Sequence, residues 1–415
     1  MNFILQNNVY FKVINGITTP TGRKSDVQNT KYFYIVHRLN YMRLYRSEEY
    51  KIGVPMNYNI LQDILSVKPT KLKKIFKWLI NNKIIEKVKN YSVGYSSSLY
   101  KLHPLVENMP IDTLSLSSTE SGLVKKMKEH RNSFSMPCVI TDHQFDLMSR
   151  INLSAAGREY LEKRYMDLLD WGELEYAVAD PRHYDLLCFY LNDTYCRRNR
   201  NTHRVYSSVT SMPGRYRDFL EFEGLTLYQI DLKNAQILLS VSKIIEEFRA
   251  EYGDIEPLTT DIRDFKHLAE TGKFYEYMAN RIGVDITNEK LRSKFKEMFF
   301  KEIFYSKNSN RATQLKHAFN LAFPTVAAII RHIKRHDYRQ FAIQLQRLEA
   351  SIFIDEVLRE LYSMNITAFS IHDSIVTTTV DDLLTAEIAI TDALKKYDLK
   401  PTFKKSGGGS LKQAA

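Results

Sequence analysis

Ile371-His372-Asp373-Ser374-Ile375-Val376, read with Tyr228-Gln229-Ile230-Asp231-Leu232-Lys233-Asn234-Ala235-Gln236, decides how the chain is organised. Each stretch places one aspartate at the end of a short β-prone run. Ile366 to Ile371 leads into the first and Ser374 to Val380 leads away, so His372-Asp373 falls at the tight turn of a predicted hairpin. The second aspartate ends a predicted strand from Leu225 to Ile230, and an apolar helical run (Ile237, Leu238, Leu239, Val241, Ile244, Ile245) follows at once. A carboxylate where a strand gives way to a helix, facing another on a hairpin tip, can hold two divalent cations. Two such ions, about 3.5–4 Å apart, activate an attacking oxygen and stabilise a leaving one in phosphoryl transfer. Magnesium suits the task because one or two carboxylates hold it and positions stay open for substrate phosphates. A His-Asp pair alone says little: His336-Asp337 is another, in a basic helical run that reads as a solvated face.

The 415 residues suggest two or three domains, and a 44% hydrophobic, 26% charged composition is that of an ordinary soluble globular protein. The net charge of +11 points toward a polyanionic partner. Cys138, Cys188 and Cys196 lack CxxC spacing, which argues against a disulfide framework or a zinc site and fits a reducing compartment. The first residues, Met1 to Asn8, do not read as a signal peptide, and no apolar run is long enough to span a bilayer. A cytoplasmic location, with no membrane partner, is expected.

Residues 1–104 form a predicted N-terminal region, with short β-prone runs at Val9 to Ile14 and Tyr32 to Val36. Within it, residues 55–103 read as a helix, a turn, a helix capped by Thr70, and two strands around Gly94, the order of a winged helix-turn-helix. Lys71, Lys73, Lys74 and Lys77 fall on the outer side of the second helix, suited to nucleic-acid phosphates. The competing reading is a packing module whose lysines are merely solvated. Residues 105–200 read as a helical, thumb-like connector, residues 201–405 as the body carrying both aspartates, and residues 406–415 as a flexible tail. Arg197, Arg198, Arg200 and Arg204 crowd just ahead of the Asp231 strand, where they suit gripping a nucleic-acid backbone. Such a run is by itself more often a solvated one. In the helix predicted from Asn288 to Ser306, Arg292, Lys296, Phe300 and Phe304 recur every four residues along one strip. Two cations one turn apart can hold a triphosphate, with an aromatic ring beyond them to stack on a base. An amphipathic helix with its phenylalanines in the core would show the same pattern.

Taken in order, Arg204-Val205-Tyr206-Ser207-Ser208, Asp231 to Gln236, Arg292-x3-Lys296-x7-Phe304-Tyr305, Gln346 and His372-Asp373 resemble the palm and fingers of family A DNA polymerases. They are similar also to the related single-subunit RNA polymerases of phages and mitochondria. Phe319-x3-Phe323-Pro324-x-Val326 resembles the stretch after the fingers helix, and the resemblance runs from about Arg204 to Val380. It implies a right hand (palm, fingers at about 255–340, thumb-like helices), and with the N-terminal winged helix-turn-helix read from residues 55–103 the expected fold class is α+β. The implied function is that of a nucleotidyltransferase, a DNA polymerase of a mobile element, plasmid or phage, working on a DNA template and primer with deoxynucleoside triphosphates. An RNA polymerase or primase of the same superfamily, with RNA as a partner, is the alternative. A non-catalytic DNA-binding replication or regulatory protein is another.

By the same resemblance, Asp231 and Asp373 bind two magnesium ions, with manganese as a substitute, and the Leu232 carbonyl is an extra ligand. Lys296 and Arg292 bind the incoming triphosphate, Lys296 also helping pyrophosphate depart, and Phe304 stacks near the incoming base. Gln346 and His372 contact the duplex at the primer terminus, while the arginine loop (Arg197, Arg198, Arg200, Arg204) and Lys71 and Lys74 of the winged-helix stretch are the nucleic-acid contacts expected from the residues themselves. Gln236 stands where the DNA enzymes carry a glutamate that crowds the ribose 2′-hydroxyl and the RNA enzymes a glycine. Its length favours deoxynucleotides. Tyr305 replaces a usual glycine, and moving the register to match it would put Glu297 at the lysine position, so the register with Phe304 is kept.

Overall fold

A computed structural model describes residues 2–17, 23–45, 52–91, 97–107, 109, 111–115, 121–133, 135–159, 194–212, 214–253, 257–308 and 313–407. Much of the expected thumb-like stretch, 160–193, lies outside these, as do Cys188 and residues 408–415. The chain divides into two compact units. One comprises residues 1–135, 151–195 and 207–221, the other residues 136–150, 196–206 and 222–415.

In the first unit, β1 (Asn2–Gln6) leads into α1 (Asn7–Gly16) and α2 (Arg23–Tyr45). The β-prone runs expected at Val9 to Ile14 and Tyr32 to Val36 are therefore helical. Spacing outweighs propensity here: Val9 and Val13, four apart, are fully buried, and Phe33, Val36 and Leu39 recur on one side of α2. The buried Gln6 and Asn40 amides satisfy each other through two reciprocal hydrogen bonds of 2.8 and 3.1 Å.

Next come β2 (Val54–Met56), α3 (Tyr58–Leu65), α4 (Pro69–Asn81), β3 (Ile85–Lys89), β4 (Ser98–Leu102) and β5 (Ile111–Ser115), the last pairing antiparallel with β1. Asn57 caps α3 by accepting from the Asn59 and Ile60 amides. The start of α4 is set by Pro69 at its first turn, with Lys68 rather than the expected Thr70 at the cap. Leu72, Ile75, Phe76 and Leu79 bury one face of α4, and β2, β4 and β3 form an antiparallel sheet in that order. Phe76 packs against Tyr58 and Tyr100, with ring centroids 5.0 and 4.6 Å away.

The second unit holds α5 (Val139–Ser149), β6 (Cys196–Asn199) and a four-stranded antiparallel sheet. Its strands are β7 (Tyr228–Leu232), β8 (Ala368–Ile371), β9 (Ser374–Thr377) and β10 (Phe403–Gly407), in the order β8-β9-β7-β10. Expected tail residues Ser406 and Gly407 thus belong to the sheet, opposite Gln229 and Tyr228. Gly407 has φ 115°, and a Cβ there would come within 2.3 Å of the Leu227 carbonyl, so only glycine closes this edge.

After β7 come α6 (Ala235–Tyr252), α7 (Thr260–Glu270), α8 (Phe274–Ile282), α9 (Glu289–Phe299), α10 (Gln314–Ala322), α11 (Pro324–Ile333) and α12 (Gln340–Ala350). Helix α13 (Val380–Lys395) then packs on β7 and β9. Phe265, Phe274, Phe299, Phe319 and Phe323, all nearly or fully buried, meet largely edge-on and knit α7 to α10 together. Among the described residues no helix is long and apolar enough to cross a membrane.

Candidate active site

Asp231 is the penultimate residue of β7, and Asp373 sits in the two-residue turn between β8 and β9. Asp231 is directly opposite Ser374 in the sheet, which makes Asp373 its diagonal neighbour. The Leu232 amide donates to the Asp373 carbonyl at 3.1 Å and ties the turn to β7. Gln229 donates to the Ser374 hydroxyl, which in turn donates to the Ile371 carbonyl, both at 2.9 Å. His372 opens the turn at φ 55°, a left-handed conformation that histidine tolerates better than most residues. Its ring lies edge-on to Tyr206, 5.9 Å away.

Burial first, and then the charge of Asp373, push the Asp231 carboxyl up to about 6; Lys296 and Lys404 pull the other way. Burial also raises Asp373, against the pull of Arg204 and Lys296. Two adjacent half-buried carboxylates are thus short of positive charge. They open onto a cavity of about 570 Å³ that Arg292, Lys296 and Phe300 also line. Burial and the nearby Arg292 lower the Lys296 pKa, against both aspartates. The Tyr275 ring, fully buried, lies 5.5 Å from the Arg292 guanidinium and 5.3 Å from the Lys296 ammonium. Glu276 accepts from Arg292 at 2.9 and 2.8 Å.

The strip on the long predicted helix does not run straight. After Phe299 the backbone widens into a π-helical segment, Phe300–Phe304, closed by the Tyr305 amide donating to the Phe300 carbonyl at 2.8 Å. The wider turn absorbs one extra residue and slides the strip by one position. Phe304, expected to face the ligand, is instead fully buried against Phe299, Phe300 and Phe341. Tyr305 is 40% exposed and stacks on Phe300 at 5.7 Å. Lys296 keeps its place and Tyr305 takes the outward one, a combination no uniform register provides.

The arginine cluster also separates. Arg198 is buried and paired with both Asp355 oxygens at 2.6 Å. Arg204 holds both oxygens of Glu349, at 2.7 and 2.6 Å. These two, expected on a nucleic-acid backbone, are engaged inside the protein because guanidinium and carboxylate fit as paired forks. Arg200 is exposed, and Arg197 lies 5.9 Å from the Tyr206 ring. Gln346 is half-buried one turn before Glu349 on α12 and is not among the residues lining the cavity. In the first unit, Lys73, Lys74 and Lys77 are exposed on α4 with no acidic partner among the described residues, and Lys71 is half-buried near Lys31.

Three site residues escaped the sequence reading: Glu349, Tyr275 and Glu276. Glu349 carried a usable signal, a lone acid in Leu345 to Ile354 beside apolar neighbours, where burial requires a partner. Burial pushes its carboxyl up to about 7, opposed by Arg204. Gln236, in the first turn of α6 and on the cavity wall, donates its Nε2 to Glu349 at 2.5 Å.

Among the described residues no group of three or more histidine, cysteine or acidic side chains could hold a metal. The donor set is therefore two charge-starved carboxylates beside an open cavity. That suits magnesium, which keeps most of its shell for water and substrate oxygens, and not a closed all-protein cage.

No family model and no curated protein matches the sequence. Among solved structures, the POL domain of Pol1 from M. smegmatis, in complex with DNA primer-template and dNTP, is similar at TM-score 0.39 and 12% identity. That match covers 92% of this chain and 72% of the other.

Proposed function

We propose that the chain is a nucleotidyltransferase that extends a DNA primer along a template from deoxynucleoside triphosphates. One observation carries the reading: Asp231 and Asp373, far apart in sequence, share one cavity with Lys296 and Arg292 facing them. Asp231 and Asp373 would hold two magnesium ions, which supply activation of the primer 3′-hydroxyl and neutralisation of the leaving pyrophosphate. Arg292 and Lys296 grip the triphosphate, the arginine exchanging Glu276 for phosphate oxygens. A burial-lowered pKa makes Lys296 a readier proton donor to the departing pyrophosphate. Phe300 and Tyr305, stacked, offer the aromatic face for the incoming base. The bulk of Gln236 stands against a ribose 2′-hydroxyl and favours deoxynucleotides.

Helix, turn, helix and antiparallel pair in the first unit support a winged-helix module, with the α4 lysines toward nucleic-acid phosphates. The test is nucleotide incorporation with magnesium on primed and unprimed single strands, using labelled dNTPs against NTPs. Primed incorporation of dNTPs is expected. Incorporation of NTPs alone, or without a primer, moves the assignment to an RNA polymerase or primase, and none at all removes it.

A further inference from the structure

The Gln236 side chain is not free to turn. Its Nε2 donates to Glu349 Oε2 at 2.5 Å, and Arg204 grips the same carboxylate through Nε and a terminal nitrogen at 2.7 and 2.6 Å. The Glu349 side chain is 1% exposed and that of Arg204 18%. Both Glu349 oxygens already accept from Arg204, which leaves neither a proton to donate, so the carboxylate dictates which end of the Gln236 amide faces it. The flip that would reverse the amide sets oxygen against oxygen and is blocked. That constraint persists even though it leaves Gln236 Oε1 buried with no hydrogen-bond partner among the described residues. Three elements contribute: the loop after β6, the first turn of α6 and the last turn of α12.

We infer that Glu349 is a positioning residue that clamps Gln236, turning a flexible side chain on the cavity wall into a fixed barrier to the ribose 2′-hydroxyl. This rests on reading the cavity as the nucleotide site. A glutamine with free rotors could swing aside and admit a ribonucleotide; an anchored one excludes it by shape, with Arg204 holding the anchor. Glu349 touches no reacting atom in this scheme. Its effect reaches the substrate only through residue 236.

The experiment is single-nucleotide insertion, comparing kcat/KM for a dNTP and its matching NTP in wild type, Gln236→Ala, Glu349→Gln and the double variant. Gln236→Ala should lower the deoxy-to-ribo ratio at least about tenfold. Glu349→Gln should lower it in the same direction, and the double variant should fall no further than Gln236→Ala alone, because both release one wall. A Glu349→Gln ratio equal to wild type, or effects that multiply, overturns the inference. Glu349→Gln leaves Arg204 buried without its counter-charge, so Gln236→Met supplies an independent arm: equal length, no bond to Glu349, and the Arg204–Glu349 pair intact. Relaxed selectivity in Gln236→Met is expected, and wild-type selectivity overturns the clamp. Wild-type protein that inserts no nucleotide removes the nucleotide-site reading and the clamp with it. Insertion with a ratio indifferent to Glu349→Gln and Gln236→Met removes the clamp alone.

Discussion

Asp231→Asn should make the metal-free protein more stable while ending its activity. Burial and Asp373 hold the Asp231 carboxyl at about 6 against an ordinary 3.8. At about 1.4 kcal/mol for each tenfold change in proton affinity, ionising it costs the folded state on the order of 3 kcal/mol. Asparagine keeps the shape and removes the charge. The folded carboxyl keeps its proton to higher pH than the unfolded one. Its contribution to stability is therefore full below about 3.8 and lost as pH rises through about 6. The gap between variant and wild type should be about half open at pH 5 and fully open by pH 8. A unit of this size gains about 2–4 °C in Tm per kcal/mol, so several degrees are expected in EDTA. Magnesium should narrow or reverse the order, because ions that bind only the folded wild type stabilise it by mass action. Thermal denaturation from pH 5 to 8, with EDTA or magnesium, reads all of this. A variant less stable than wild type at pH 8 in EDTA, or a gap indifferent to pH, refutes the crowded-carboxylate reasoning.

Glu276→Gln should lower the KM for the nucleotide several-fold with little change in kcat, since Arg292 no longer has to leave a carboxylate for the triphosphate; an unchanged or raised KM counts against that exchange. Phe304→Ala should cost about 3–5 kcal/mol in denaturant unfolding, as a fully buried phenylalanine does, whereas Tyr305→Ala should barely move stability but raise the nucleotide KM. The reverse pattern would return Phe304 to the ligand. Replacing Lys73, Lys74 and Lys77 together by alanine should weaken duplex binding and flatten its salt dependence, by up to about 0.9 in log–log slope for each phosphate no longer neutralised. Unaltered binding and slope would assign that face of α4 to another partner.

The aspartates were legible because strands announce themselves locally: alternating β-prone residues end at Asp231 and turn at His372-Asp373. Helices α3 and α4 were legible for the same kind of reason, a burial stripe at helical spacing. What stayed hidden depends on distant partners. Arg204 and Glu349 are 145 residues apart, and Arg198 and Asp355 157, so a free arginine run and a set of buried forks look alike in sequence. The π-helical turn was invisible because Phe300 to Tyr305 favour no particular helical pitch; packing of Phe304 beneath Phe341 selects it. Valine, isoleucine and tyrosine in α1 and α2 misled for a related reason, since burial against the rest of the unit overrode their β preference.

Single-turnover extension of a primed DNA template with magnesium and dNTPs, comparing wild type with Asp373→Asn, tests the shared-metal account most directly. The account predicts extension by wild type and a rate lower by at least about 10³ in the variant, which should still bind the duplex and melt cooperatively. Extension by Asp373→Asn at the wild-type rate would contradict it.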